Sequence, residues 1–257
     1  MGEIIAVTNQ KGGVGKTTTC VNLCASLAVL DRRVLLVDLD PQANSTTGCG
    51  VDKQALTRST CEVLLGEATA SDSIVQVENA GFALLPANAD LTVAEVKLLS
   101  EIGRELKLRN VLAPIRDNYD YIIIDCPPTM NMLTLNALTA ADGALIPIQC
   151  EYYALEGLSA LLETVKQVRN TVNHGLQIKG LLRTMFDPRN KLATEVSAQL
   201  VKHFDDKVFA TVIPRNVRLA EAPSFGVPAM YHDRSSRGAK AYRKLAEEVI
   251  RRDQAGP

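Results

Sequence analysis

Short apolar runs separated by stretches of helical periodicity recur along this chain, and that alternation narrows the fold more than any other feature. The runs are Ile4–Val7, Val34–Val37, Phe82–Leu85, Tyr121–Ile124, Ala144–Ile148, Ile178–Leu182 and Val208–Ile213. Several contain no polar residue at all, the pattern of strands covered on both faces rather than half exposed to water. Helical stretches fall near Thr17–Leu30, Val93–Arg116, Leu133–Ala141, Leu155–Thr171, Ala193–Phe204 and Ala239–Arg252. Strands that alternate with helices must be joined by crossovers, so the expected fold is α/β, with a mainly parallel central sheet flanked by helices on both faces. The segment from Pro41 to about Glu78 is rich in Thr, Ser, Gly and Asp and reads as irregular with one short helix. No repeat, low-complexity tract or linker interrupts the 257 residues, so one domain over 1–257 is expected, large enough to bury a substantial core.

Directly after the first run comes Lys11-Gly12-Gly13-Val14-Gly15-Lys16-Thr17-Thr18, leading into a helix. Glycines let a backbone curl until several N–H groups point at one cluster of phosphate oxygens. The helix that follows adds its positive end to the same spot. Lys16 is placed to reach the β- and γ-phosphates, and the Thr17 hydroxyl to ligate Mg²⁺. This is a phosphate loop, and the fold expected with it is that of the P-loop nucleoside triphosphatases.

Two acidic stretches accompany it. Asp38-Leu39-Asp40-Pro41-Gln42 follows the second run, at the strand end where open α/β sheets carry their ligand loops. Ile122-Ile123-Ile124-Asp125 ends a hydrophobic strand in a carboxylate, the arrangement that holds Mg²⁺, commonly through water. Phosphoryl transfer needs positioning and charge neutralisation rather than a nucleophile triad, and these groups supply both. The three histidines, His174, His203 and His232, sit in no catalytic pattern.

The loop departs from the ordinary phosphate-loop pattern in having Gln10 where glycine is required and in carrying Lys11. In this it resembles the deviant Walker A box, KGGxGKT, of the ATPase family that contains the ParA/Soj partition proteins and MinD. The resemblance implies that Lys11 reaches across a homodimer interface to the partner's ATP, and that Asp40 positions the attacking water while Asp38 supports the site indirectly. It extends over nearly the whole chain. Gly180 to Arg189 looks like the partition-protein stretch ending in TMxDxR, and Val212 to Ser224 like its IPRNVRLxEAPS box, which favours the chromosomal Soj type. By that resemblance Pro214 and Asn216 line the adenine pocket, and Arg189 and Arg218 belong to a non-specific DNA-binding surface. Arg183 departs from the family, which has an apolar strand residue there. The family's partner is a ParB-type centromere-binding protein that stimulates hydrolysis, so slow intrinsic turnover is expected.

With 28 Lys plus Arg against 29 Asp plus Glu, the net charge of −1 does not mark the whole chain as a nucleic-acid binder. Any DNA contact must come from a local patch, and Arg189, Lys191, Lys202, Arg215, Arg218, Arg237 and Lys240 cluster in the C-terminal third. The six cysteines form no CxxC pair and read as packed free thiols of a reducing cytoplasm, rather than as the shared cluster of a nitrogenase-like iron protein. No apolar run approaches the roughly 20 residues that cross a bilayer, no secretory leader is recognised, and the expected location is cytoplasmic, on the nucleoid. No helix-turn-helix extension precedes the first strand. The main competing reading is a MinD-like switch on a membrane surface, since Tyr242, Leu245, Ala246, Val249 and Ile250 make an apolar stripe at helical spacing. A core-packing stripe is the reading preferred here, without stable membrane association.

Overall fold

In the computed structural model, which describes residues 2–255, seven strands form one sheet. They are β1 (Glu3–Val7), β2 (Val34–Asp38), β3 (Val75–Val77), β4 (Phe82–Leu85), β5 (Tyr121–Asp125), β6 (Gly143–Gln149) and β7 (Gln177–Thr184). Their order across the sheet is β3-β4-β2-β5-β1-β6-β7. Every neighbouring pair is parallel except β3 with β4 at one edge. The mainly parallel sheet read from the sequence is therefore present.

Strand alternation divides the interior into two cores. Ile4, Ala6, Leu35, Val37, Ile122 and Ile124 face one side, against the helices Leu91–Leu98, Met132–Ala140 and Ala154–Thr171. Their sequence neighbours Ile5, Val7, Leu36 and Ile123 face the other, against Lys16–Ala28 and Arg237–Ala255. Each fully buried Leu or Ile is worth roughly 1.5–3 kcal/mol relative to exposure, which explains why no polar residue interrupts these strands. The apolar stripe of the last helix is part of the second core, with Tyr242, Leu245, Ala246 and Val249 all buried. Its Tyr242 hydroxyl lies 3.1 Å from the Thr19 hydroxyl of the helix that follows the phosphate loop.

Three expectations from the sequence are corrected. Val208–Ile213 is not a strand: only isolated bridges join Leu181 to Val208 and Phe186 to Pro214. Backbone bonds to β7 are made only near its ends, by the N–H groups of Phe209 and Ile213, and between them side chains meet its backbone. Arg183 donates to the carbonyls of Phe209 and Ala210, and the Glu248 carboxylate accepts from the N–H groups of Ala210 and Thr211, each at 2.8 Å. This also accounts for Arg183 within β7. The Phe209 ring closes over Gly180, where an added Cβ would stand 2.5 Å from a ring carbon.

The helical stretch Val93–Arg116 is broken into the helices Leu91–Leu98 and Lys107–Leu112 with 3₁₀ turns at Arg104–Leu106 and Arg116–Asn118. Gly103, at φ +64°, turns the chain out of the helix, and Pro114 ends the second piece. The segment read as irregular with one short helix holds three, Asn44–Gly48, Thr60–Leu64 and Ala70–Ser73, and the edge strand β3. Three residues, one of them Gln76, leave no periodic signal from which β3 could be read.

Candidate nucleotide and metal site

The parallel register brings three strand ends into line: Val7 pairs with Asp125, and Asp125 with Asp38. The loop leaving β1 and the two acidic strand ends thus open on the same edge of the sheet, where crossover connections leave room for a ligand. Gly13 and Gly15 stand at φ +74° and +89°, values that side-chain-bearing residues rarely adopt. A Cβ at Gly12 or Gly13 would meet nothing within 4 Å, so the inner wall of the loop is open. Gly15 precedes the helix Lys16–Ala28, whose free N–H groups face the loop.

Other elements hold the loop in place. The Thr184 hydroxyl, at the end of β7, donates to the Val14 carbonyl at 2.8 Å. Asn9 accepts from the Lys11 N–H at 2.9 Å and donates to the Pro147 carbonyl at 2.8 Å. Lys16 is buried, with its amine 3.4 Å from the Lys11 carbonyl. Lys11 behaves in the opposite way: its amine pairs with Glu151 just beyond β6, and both side chains are 47% exposed.

Asp38 and Asp125 are fully buried and Asp40 nearly so. Asp38 accepts from the Thr46 N–H at 2.8 Å and the Thr46 hydroxyl at 2.7 Å, and its other oxygen faces the Asp40 N–H. Both of its oxygens are thus engaged by the chain itself. Asp40 accepts from the Gln42 N–H at 2.9 Å, and a carboxylate with one such bond keeps lone pairs for water.

Asp125 accepts from the Ser45 hydroxyl at 2.7 Å through one oxygen, while its Oδ1 is buried with no hydrogen-bond partner. Burial pushes the pKa values of Asp38 and Asp125 up, to about 7 and about 6. The Asp125 charge adds to the rise at Asp38, whereas the hydroxyls of Ser45 and Thr17 and the charge of Lys16 restrain that of Asp125. A buried oxygen without a donor, next to a threonine hydroxyl, suits a hard divalent cation such as Mg²⁺.

Beside the loop a cavity of about 540 Å³ is lined by Gly13, Gly15, Thr18, Met185, Pro214, Asn216 and Tyr242, among others. The Phe186–Pro214 bridge carries the segment to this position. Asn216 Oδ1 is buried without a partner, like Asp125 Oδ1, and both unmatched acceptors belong to this one site. The sequence-predicted phosphate, metal and base-binding residues therefore converge. A second cleft, about 690 Å³, lies at the other end of the sheet. Its Lys179 is already neutralised by Glu3 and Asp253.

Ser45, Thr46, Glu151, Asn9 and Thr184 escaped the sequence reading. Their only signal was position: Glu151 follows a strand end on the ligand side, and Ser45 and Thr46 follow the Asp40-Pro41 turn. Of the expected DNA-binding residues, Arg189, Lys191, Arg215 and Arg218 are all exposed. The contact of Phe186 with Ile213 and Pro214 sets the loops that carry them side by side.

A parallel sheet, a glycine cradle before a helix, and a buried strand-end carboxylate define a P-loop nucleotide-binding protein. The known proteins it resembles narrow that class. An AAA domain family matches residues 2–178. The sporulation initiation inhibitor protein Soj of Bacillus subtilis is 52% identical over 249 residues, 97% of this chain and 98% of that protein. The chromosome partitioning protein ParA of Caulobacter vibrioides is 48% identical over 254 residues, 98% of this chain and 95% of that one.

Among solved structures, a cobyrinic acid a,c-diamide synthase from Mycobacterium smegmatis with bound ADP and magnesium gives a TM-score of 0.88 at 40% identity, covering 100% of this chain and 97% of that one. The cell division ATPase MinD of Pyrococcus furiosus gives 0.82 at 30% identity, covering 98% and 99%. The chain belongs to the ParA/Soj family of chromosome-partitioning ATPases.

Proposed function

We propose that this chain is an ATP-dependent partitioning ATPase of a chromosome or plasmid, acting in the cytoplasm on the nucleoid. ATP and Mg²⁺ join two copies face to face, the dimer holds duplex DNA without sequence preference, and hydrolysis stimulated by a ParB-type centromere-binding protein releases it. ATP supplies the phosphoryl group whose loss resets the cycle. Lys16 and the helix N-terminus neutralise charge on the phosphates. Thr17 and Asp125 would hold Mg²⁺, the latter through water, Asp40 would orient the attacking water, and Pro214 and Asn216 would receive the adenine.

The observation that carries this reading is the direction of Lys11. Its amine leaves its own loop and stays half exposed, paired with Glu151, from which a partner's nucleotide would have to draw it, while Lys16 stays buried. A protein that needed only its own two lysines on one nucleotide would gain nothing from this outward geometry. The MinD-like membrane reading is disfavoured because the apolar stripe of the last helix is packed into the core.

The test combines light scattering with ATP turnover. The Asp40→Ala chain is expected to double its mass with ATP and Mg²⁺ and not with ADP. Wild-type turnover should be slow alone and rise with DNA and the partner protein together. A chain that stays monomeric with ATP, or whose turnover is fast alone, contradicts the proposal. ATP use that requires a corrinoid acid instead of DNA would favour an amidating enzyme. ATP-dependent flotation on anionic vesicles would restore the membrane reading.

A further inference from the structure

Arg189 and Arg218, the arginines placed first in the DNA reading, are not free cations. Arg189 chelates Asp187, with Nε 3.0 Å from one carboxylate oxygen and Nη2 2.7 Å from the other, and its own N–H caps the same group at 3.0 Å. Arg218 lies between two acids, 2.8 Å from Glu221 and 3.4 Å from Asp233, and Glu221 also takes His232 at 3.5 Å. Lys191 and Arg215, close in sequence to these two arginines, are exposed and make no ion pair among the described residues.

The planar edge of a guanidinium that grips a carboxylate is the edge that would grip a phosphate. Both arginines therefore present this edge already filled. The carboxylates remain charged at any physiological pH: Asp187 is pushed down to about 2 by the Arg189 guanidinium, and Glu221 and Asp233 are lowered as well. A DNA phosphate that takes either arginine must displace or stand beside an anion within a Debye length, so like-charge repulsion opposes it. Exposed ion pairs are weak, and exchange is feasible for a dense phosphate array.

We propose that Asp187, Glu221 and Asp233 are built-in counter-anions that occupy Arg189 and Arg218 until the phosphate backbone of duplex DNA displaces them, holding the DNA affinity of this surface down. The proposal rests on the DNA reading above and adds residues that weaken binding rather than create it. The weakening keeps release possible once hydrolysis separates the two copies.

The experiment measures binding of the full chain, with ATP and Mg²⁺, to random-sequence duplex DNA at fixed salt. Wild type is compared with Asp187→Asn and Glu221→Gln. Both substitutions remove charge while keeping an amide oxygen, which in the first case preserves the cap on the Arg189 N–H. Glu67→Gln, an exposed acid paired with Lys97 near the opposite edge of the sheet, matches the change in net charge. Asp187→Asn and Glu221→Gln should each tighten binding about 3- to 10-fold, the order expected for removing one unit charge beside a phosphate, and Glu67→Gln should leave it nearly unchanged. Wild-type binding with neither variant tighter than Glu67→Gln overturns the counter-anion proposal and leaves the DNA reading standing. No binding by wild type or variants in any nucleotide state overturns the DNA reading and this proposal with it.

Discussion

The nucleotide end and the basic surface of this molecule handle charge in opposite ways. At the nucleotide end Lys16, Asp38, Asp40 and Asp125 are buried, and the groups that hold the acids come from residues such as Ser45 and Thr46, as far as 80 positions away in sequence. On the basic surface Arg189 and Arg218 each find a carboxylate two or three residues away in sequence, in water. Buried charge demands exact partners, because one missing partner leaves an uncompensated ion in low dielectric. Exposed pairs tolerate change and act mainly through net charge. Geometry therefore governs the first region and electrostatic balance the second.

The two regions touch through backbone. Gly50, which follows the short helix bearing Ser45 and Thr46, approaches Gly226, which follows the Arg218 segment, so closely that a Cβ on Gly50 would stand 2.7 Å from the Gly226 carbonyl oxygen.

The contrast is tested most severely at Lys16. Lys16→Ala is expected to lower ATP turnover by about 10²- to 10³-fold, the range seen when one preorganised electrostatic contact is lost. A drop of only a few-fold would place this lysine with the tolerant surface charges. Asp40→Ala should slow single-turnover hydrolysis by about 10²- to 10⁴-fold while nucleotide still binds, as for a group that acts only on the attacking water. Loss of nucleotide binding there would make Asp40 a binding group instead.

Gly50→Ala probes the contact between regions, and both its φ of +78° and the short approach predict destabilisation of about 1–3 kcal/mol in chemical unfolding. An unchanged midpoint would mean that the two loops separate freely.

The smallest effect, and the sharpest contrast, is in pH dependence. Asp38 at about 7, Asp125 at about 6 and Glu3 at about 7 all bind protons more tightly folded than unfolded. Their contribution to stability is fully present below the ordinary carboxylate value and is lost as pH rises through 6 to 7. Asp187 runs the other way: its contribution is present above the ordinary value and is lost as pH falls toward about 2. The melting midpoint of the nucleotide-free chain should therefore fall between pH 5 and 8, and Asp38→Asn should flatten that fall. A midpoint that rises over this range contradicts the buried-carboxylate account.

What the sequence disclosed follows the same division. The strand-loop-helix around Lys16 and the acid closing Ile122–Ile124 are local patterns, and both were legible. The adenine role proposed for Pro214 and Asn216 rests on resemblance alone, because nothing local to them in sequence marks such a pocket. Ser45 and Thr46 were not legible, since hydroxyls in a Thr- and Ser-rich segment look alike until the fold brings them under Asp125 and Asp38. Val208–Ile213 misled because Val208, Phe209 and Ile213 are buried as in a strand, while at Ala210 and Thr211 the side chains of Arg183 and Glu248 take the place of ladder bonds. The pairing of Arg189 with Asp187 was not read from the sequence, because its grip on the carboxylate depends on a turn that spacing alone does not dictate.

The central claim is that occupancy of the buried end governs what the exposed surface holds. Fluorescence anisotropy of a labelled random-sequence duplex, titrated with the full chain at moderate salt, tests it directly. The account predicts binding with ATP and Mg²⁺, little with ADP or without nucleotide, and none with ATP in Lys16→Ala. Equal binding in every nucleotide state, or binding that survives Lys16→Ala, would contradict it.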